Sequence, residues 1–432
     1  MKTSSGWRPL DLLWPLIALI LVWPVVLRFL PPVQDRDFAS FDGGSTDFAC
    51  NYLGSLAFIR GFDPHLNGRP EFRDPWRREI QMEGVAVSQY YLPGHFIALA
   101  PLAWIYGDDW EAASRTYFWL HLILLALLAW IVAAAALRSS GPEGAHRFGR
   151  TGFVSAITFV LFCLHVGIRV GLERGQSDVI QAVLIWGGVA LAASGQMALA
   201  GFLLVAGTSL KGYGVVLLLG LAVASFGRSG FRSFLLGSLA AGLPILALTW
   251  PFVLTGLKVA LYKSGDFSYH WTVHGFKHIG WAISPEWADA LRLFLSLMSL
   301  IVSIACWAGY RRALVERPDE STARLVIAAA ASVTTTVGFS ASSHAYNLVL
   351  ILPALIWITH LIEADLRPPG RSHEALFAVT FLMLVLRTPL RHFAPAAYGL
   401  ALLMIWCLLT LRTGSGGSLT SGGSLEGAAP GV

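Results

Sequence analysis

The side chains able to do chemistry in this sequence are few, and most stand where a long apolar run begins or ends. Lys211 is the most conspicuous, in Gly207-Thr208-Ser209-Leu210-Lys211-Gly212-Tyr213-Gly214 with apolar sequence on both sides. An ammonium in such a setting needs an anionic partner or a route to water, and holding a phosphate is one use for it. Glu173-Arg174-Gly175-Gln176-Ser177-Asp178 precedes another apolar run. Charged groups at that depth pair or face an aqueous cavity. Capping by Ser177 or Asp178, beside a Glu173–Arg174 surface pair, is the plainer account, and both stay open. Ser340-Ala341-Ser342-Ser343-His344-Ala345-Tyr346-Asn347 lies between two further apolar runs, and His344 and Asn347 share a face at i, i+3 spacing. Arg387, Arg391 and His392 add positive charge that could receive a phosphate.

Asp47 stands apart from these groups. Phe48, Tyr52, Ser55, Leu56 and Ile59 form a helical stripe, so Asp47 falls in a first helical turn, where an acid suits the positive end of the helix dipole. Gly61 ends that helix and Asp63-Pro64 begins a turn. A second amphipathic piece, from Pro75 to Tyr90, leads to Tyr91-Leu92-Pro93 and back to apolar sequence. Two helices lying on a membrane surface would wall a cavity open to one leaflet, a geometry suited to a lipid-borne substrate. Two metal patterns are weaker. Asp35-Arg36-Asp37 has a spacing that could bind a divalent cation. The loop 256–287 carries Tyr262, Lys263, Asp266, His270, His274, Lys277, His278 and Trp281. Its three His lack the thiol or acid pattern of a zinc site and suit sugar stacking equally well.

The elements that must position these groups are membrane helices. Of 432 residues 55% are hydrophobic and 13% charged, against roughly a quarter charged in soluble proteins. Apolar runs near the ~17–25 residues of a membrane span recur throughout. The fold class is an all-α polytopic bundle, with expected spans at 12–30, 115–137, 152–168, 177–194, 196–210, 212–227, 233–255, 288–310, 322–340, 345–363, 374–390 and 395–411. The apolar piece 94–106, about thirteen residues, suits an interfacial or re-entrant segment better than a full span; if it did span, the sides of the early loops would flip. The run from Leu10 to Leu30 exceeds a signal-peptide core and is expected to stay as an anchor with a cytoplasmic N-terminus.

With twelve spans, Arg138, Arg147, Arg150, Arg228, Arg232, Arg311, Arg312, Arg317, Arg367 and Arg371 share one side, as positively charged inner loops require. The net charge of +5 is therefore explained without a nucleic-acid partner. Cys50, Cys163, Cys306 and Cys407 show neither CxxC spacing nor a disulfide framework and fit as small core residues. The stretch 1–412 reads as one membrane domain, and Thr413 to Val432, rich in Gly and Ser, as a flexible tail.

The order of these motifs resembles the polyprenyl-phosphate-dependent membrane glycosyltransferases of the GT-C class, in particular family 87 (the DUF2029 group). The resemblance runs from about residue 12 to 411 through Asp47-Phe48 with Tyr52, Gly61-Phe62-Asp63-Pro64, Tyr91-Leu92-Pro93 and Gly175-Gln176-Ser177-Asp178. Ala200-Gly201…Lys211 and His344-Ala345-Tyr346-Asn347 complete it. It implies a GT-C fold, a sugar donor on a polyprenyl monophosphate, a lipid or glycan acceptor, no nucleotide sugar, and chemistry at the outer face of a bacterial plasma membrane. By the same resemblance Asp47 is the general base, Lys211 a donor-phosphate group and His344 a second polar residue at the reaction centre. Arg174, Gln176, Asp178, Tyr91, Tyr346, Asn347 and Arg391 then line the substrate site, with no metal ligand among them. His65, Leu92 and Asn347 depart from the family's usual residues, which leaves the sugar and acceptor open. A transporter or flippase for lipid-linked saccharides is the rival of a different class.

Overall fold

The computed structural model describes residues 46–64, 92–139, 147–165, 168, 171–172, 175–263, 275–340, 345–363, 371–385 and 395–413, with isolated positions 17, 20 and 23. Among the described residues every regular element is helical, as a chain of apolar runs demands: in hydrocarbon a backbone must satisfy its own hydrogen bonds. Chain order gives α1 (Thr46–Ile59), α2 (Gly94–Tyr106), α3 (Trp110–Ser139), α4 (Arg147–Leu164), α5 (Asp178–Ala193), α6 (Met197–Lys211) and α7 (Val215–Ser225). Then follow α8 (Ser229–Lys263), α9 (Phe276–Ile283), α10 (Ala288–Glu316), α11 (Ser321–Phe339), α12 (Leu352–Glu363), α13 (Arg371–Val385) and α14 (Pro395–Thr413). The anchor at 12–30, the piece from Pro75 to Tyr90 and the tail lie outside the described residues, those three positions in the anchor apart.

Among the described residues four stretches, Ala112–Arg138, Ser229–Gly256, Ala288–Glu316 and Pro318–Phe339, are long and apolar enough to cross a membrane. The twelve expected spans are not all of that length. α5 has 16 residues, a rise of about 24 Å, and α7 has only 11. Burial separates the long helices into two kinds. In its most apolar window Ser229–Gly256 is 22% buried, and Pro318–Phe339 is 83% buried. α8 therefore presents Leu236, Trp250 and Leu254 outward, a surface suited to lipid rather than water. α11 is the central post, with Ala328, Ala329, Ala330 and Ala331 all buried. Its Ser332 hydroxyl accepts a bond from the Trp307 indole of α10 at 2.8 Å.

α8 lies against α6 through small residues. A Cβ at Gly237 would meet the Ala198 carbonyl, and one at Gly201 would meet that of Phe234. Bare backbone lets helices approach closely where apolar lipid supplies no hydrophobic drive to associate.

α2 has 13 residues, fewer than an ordinary span. It starts with Gly94 against Ser209, near the end of α6, and stops at Gly107, whose carbonyl takes the Tyr52 hydroxyl at 2.7 Å. Phe96, Leu99 and Ala103 pack inward, while Trp104 is 80% exposed.

The opposite end gathers arginines. Arg228 donates to the carbonyls of Leu314 and Arg311, and Arg311 to that of Val223. Arg324 reaches the Thr410 carbonyl at 3.0 Å. Cys163, Cys306 and Cys407 are buried and unbridged.

One expected element differs. The stretch 345–363 is a 3-10 segment, Ala345–Leu350, followed by α12. Runs of this type beyond three or four residues are uncommon. This one is held to α5 from two sides: the Trp186 indole donates to the Leu350 carbonyl at 2.8 Å, and Asn347 reaches Asp178.

Gly237→Leu should destabilise the α6–α8 contact by about 1–3 kcal/mol, the usual range for overpacking. Thermal unfolding of the purified protein in detergent checks it. Leu236→Ala, on the outward face, should change the midpoint much less.

Candidate functional site

Helix direction brings the first two charges together. Asp178 opens α5 and Lys211 closes α6, so each sits where the helix dipole favours its sign. α5 and α6 are joined by a short turn, which returns Lys211 to the start of α5. The ammonium lies 2.8 Å from Asp178 Oδ2, with the side chains 6% and 2% exposed. Lys211 Nζ also donates to Gln176 Oε1 at 2.7 Å. The second carboxylate oxygen, Asp178 Oδ1, accepts from Asn347 Nδ2 at 2.6 Å. One helix turn deeper, Gln181 Nε2 donates to the Gly207 carbonyl at 3.0 Å and fastens the same two helices again.

A second layer of polar groups surrounds this pair. His95 Nδ1 is 3.1 Å from the Ser177 hydroxyl. The rings of His121 and Tyr117 of α3 pack at a tilt with centroids 4.0 Å apart, both buried and close enough to Asp178 to feel its charge. Beside Lys211, the Tyr213 hydroxyl reaches the Ser340 hydroxyl at 3.4 Å, and Thr336 donates to the Tyr213 carbonyl at 2.6 Å.

α1 docks on the same place. Gly175 has φ +67°, and a Cβ there would strike that of Phe48. Asn51 Nδ2 approaches the Gly175 carbonyl at 3.4 Å. Tyr52 anchors the far end of this contact on Gly107. Burial first, then Asp108 and Asp109, push its phenol up to about 12, so it stays protonated as a donor. Arg60 and Asp108 add an exposed pair at 2.8 Å.

Of the residues expected in a site, Gln176, Asp178, Lys211 and Asn347 are brought into one cluster. Asp47 lies in the first turn of α1 and Tyr346 in the 3-10 segment, with side chains outside the described residues. Tyr91, Arg174, His344 and Arg391 lie wholly outside them, as do Asp35 and Asp37. Among the described residues no group of three or more His, Cys, Asp or Glu is placed to hold a metal ion.

Asn51, His95, Tyr117 and His121 were not among the expected site residues. For the two histidines a signal existed: each is an ionisable group inside an apolar helix, which is costly unless it is partnered. From the His-rich loop, His270 and His274 are outside the described residues, whereas His278 is 2% exposed and packs on Trp281. Burial lowers its pKa below the ordinary 6.5.

Chemically, the cluster is a neutral, water-poor ion pair whose carboxylate and ammonium are held by amides. An anion entering at Lys211 would compete with Asp178 for the ammonium. No family model matches this chain, and neither a curated protein nor a solved structure is similar enough to match it.

Removing one partner of a buried pair strands the other charge, at about 3–5 kcal/mol. Asp178→Leu alone should therefore lower the thermal midpoint strongly, and the double variant Asp178→Leu/Lys211→Met should recover most of the loss. Equal midpoints for the single and double variants would contradict the pairing.

Histidine held neutral by burial stabilises the fold fully above about pH 6.5, and that stability is lost as pH falls toward the lowered native pKa. Between pH 7.5 and 5.5 the wild type should lose more thermal stability than His278→Gln.

Proposed function

We propose that this protein is an integral-membrane glycosyltransferase of the GT-C type. It moves a sugar, mannose in the first instance, from a polyprenyl-phosphate donor to a hydroxyl of a lipid or glycan acceptor. The reaction takes place at the outer face of a bacterial plasma membrane and inverts the anomeric centre. One observation carries the proposal. Gln176, Asp178, Lys211 and Asn347, which come from three of the motifs behind the family resemblance, form one hydrogen-bonded cluster at the ends of apolar helices. Residues serving only as a helix cap or a surface pair would have no reason to meet there.

In the proposed reaction Asp47 takes the proton of the acceptor hydroxyl. The acceptor oxygen attacks the anomeric carbon as the bond from that carbon to the phosphate oxygen breaks. The electron pair of the broken bond stays on the phosphate, whose charge rises from one to two. Lys211 meets that growing charge, with Arg174 and Arg391 as helpers, and preorganised electrostatics of this kind is often the largest catalytic contribution. Asp178 and Gln176 orient the Lys211 ammonium, and Asn347 fixes the other oxygen of Asp178. His344 is the second polar residue at the reacting centre, and Tyr91 and Tyr346 line the sugar.

The rival function, a flippase for lipid-linked saccharides, draws on the same cluster, because ionisable pairs inside membranes also mark transport pathways.

Purified protein in liposomes should transfer label from polyprenyl-phosphate mannose to a mixed membrane-lipid acceptor. Asp47→Asn should lose roughly 10²–10⁴-fold, the usual contribution of a general base. Equal activity in Asp47→Asn would move the base role to another acid. Inactivity of the wild type with mannose and arabinofuranose donors alike, together with movement of labelled lipid across the bilayer, would replace the enzyme by the flippase.

A further inference from the structure

At the arginine end of the bundle, away from the Asp178–Lys211 cluster, a cavity of about 460 Å³ opens between α3, α5, the start of α6, the start of α11 and α12. Its volume falls in the ~300–1,000 Å³ of small-molecule sites. Ile131, Ala134, Leu191 and Leu203 form apolar walls, and Ser194, Gln196, Thr322 and Arg138 bring polar groups to it. Among the described residues no acidic one lines it. Arg138 ends the span Ala112–Arg138 and is exposed. Among the described residues it has no carboxylate partner.

A second observation points to an occupant. Trp357 lines this cavity and is fully buried, yet among the described residues its indole N–H has no hydrogen-bond partner. Its neighbour Trp186, with ring centroids 6.5 Å away, donates normally to Leu350. Buried tryptophan N–H groups usually find an acceptor. A cavity with apolar walls, a guanidinium and an indole N–H that no described residue pairs is complementary to a molecule with an apolar chain, oxygen acceptors and a negative head.

We propose that this cavity binds one anionic phospholipid from the leaflet on the arginine side. An acyl chain lies along Ile131, Ala134 and Leu203, an oxygen acceptor of the lipid satisfies Trp357, and the phosphate head meets Arg138. Basic pockets between membrane helices on the cytoplasmic side are known to take such head groups. The site is independent of the sugar-transfer function, since it needs none of the residues assigned to that reaction.

A ligand that binds only the folded state raises its apparent stability, so the test is a thermal midpoint in mixed micelles. Phosphatidylglycerol should raise the wild-type midpoint by about 2–4 °C over phosphatidylcholine at equal mole fraction. Native mass spectrometry should find one phosphatidylglycerol retained per chain. Arg138→Gln, a surface change, should lose the preference for phosphatidylglycerol. Ala134→Phe, which fills the cavity, should lose both the shift and the retained lipid. Glycerol phosphate alone should do nothing. Equal shifts with both lipids would overturn the proposal, as would a shift reproduced by glycerol phosphate. So would a phosphatidylglycerol effect that survives in Ala134→Phe, because the lipid would then sit on the surface instead.

Discussion

One buried ion pair constrains the rest of this bundle. Taking Lys211 and Asp178 out of water costs several kcal/mol for each ion, and their attraction offsets that cost only at close range with the remaining donors and acceptors satisfied. The chain meets both conditions: the contact is 2.8 Å, and amides from Gln176 and Asn347 complete it. Several features follow. α5 and α6 must run antiparallel with the start of one beside the end of the other. Their register cannot slip, because a one-residue shift would strand both charges. The distant 3-10 segment must come down onto α5, since Asn347 serves the second carboxylate oxygen.

The apolar surroundings impose a second constraint, on lengths. Helices at the edge of the bundle, α8 and α10, are long and present leucines and aromatics outward. Helices that meet at the polar cluster, α5 and α6, are shorter, and their ends leave polar groups inside the bundle rather than beyond it. α2 is shorter still; its Gly94 lies against Ser209 of α6, and its His95 reaches the Ser177 hydroxyl before α5. Close approach at Gly201 and Gly237 lets the outer helix α8 press onto α6, so the element carrying Lys211 is clamped from two sides.

The two ends of the molecule have different chemistry. One holds the neutral ion pair with histidines and amides around it. The other holds arginines that close helix ends by bonding to their carbonyls, together with a cavity that Arg138 borders. α5 links them, with Asp178 at its start and Leu191 in the cavity wall. Sugar transfer at the first end and lipid binding at the second would thus share a helix without sharing a residue.

Much of this was legible in the sequence. Low charge and recurring apolar runs require an all-helical membrane-type chain, and the thirteen residues of α2 are fewer than an ordinary span has. A lysine amid apolar sequence needs an anion, and that need could be stated before any anion was identified. The number of full-length spans was not legible, because a hydropathy run does not reveal where a helix stops inside the bundle. Nor was the broken start of α12, which forms because Trp186 and Asp178 draw Leu350 and Asn347 onto α5. Identifying the partners took tertiary structure. Lys211 meets Asp178 across 33 residues, His95 meets Ser177 across 82, and Asn347 meets Asp178 across 169. Periodicity fixes which face of a helix a residue occupies, but only packing decides which face of another helix lies opposite. The sequence determined that the charges had to be neutralised; the tertiary fold decided which groups neutralise them.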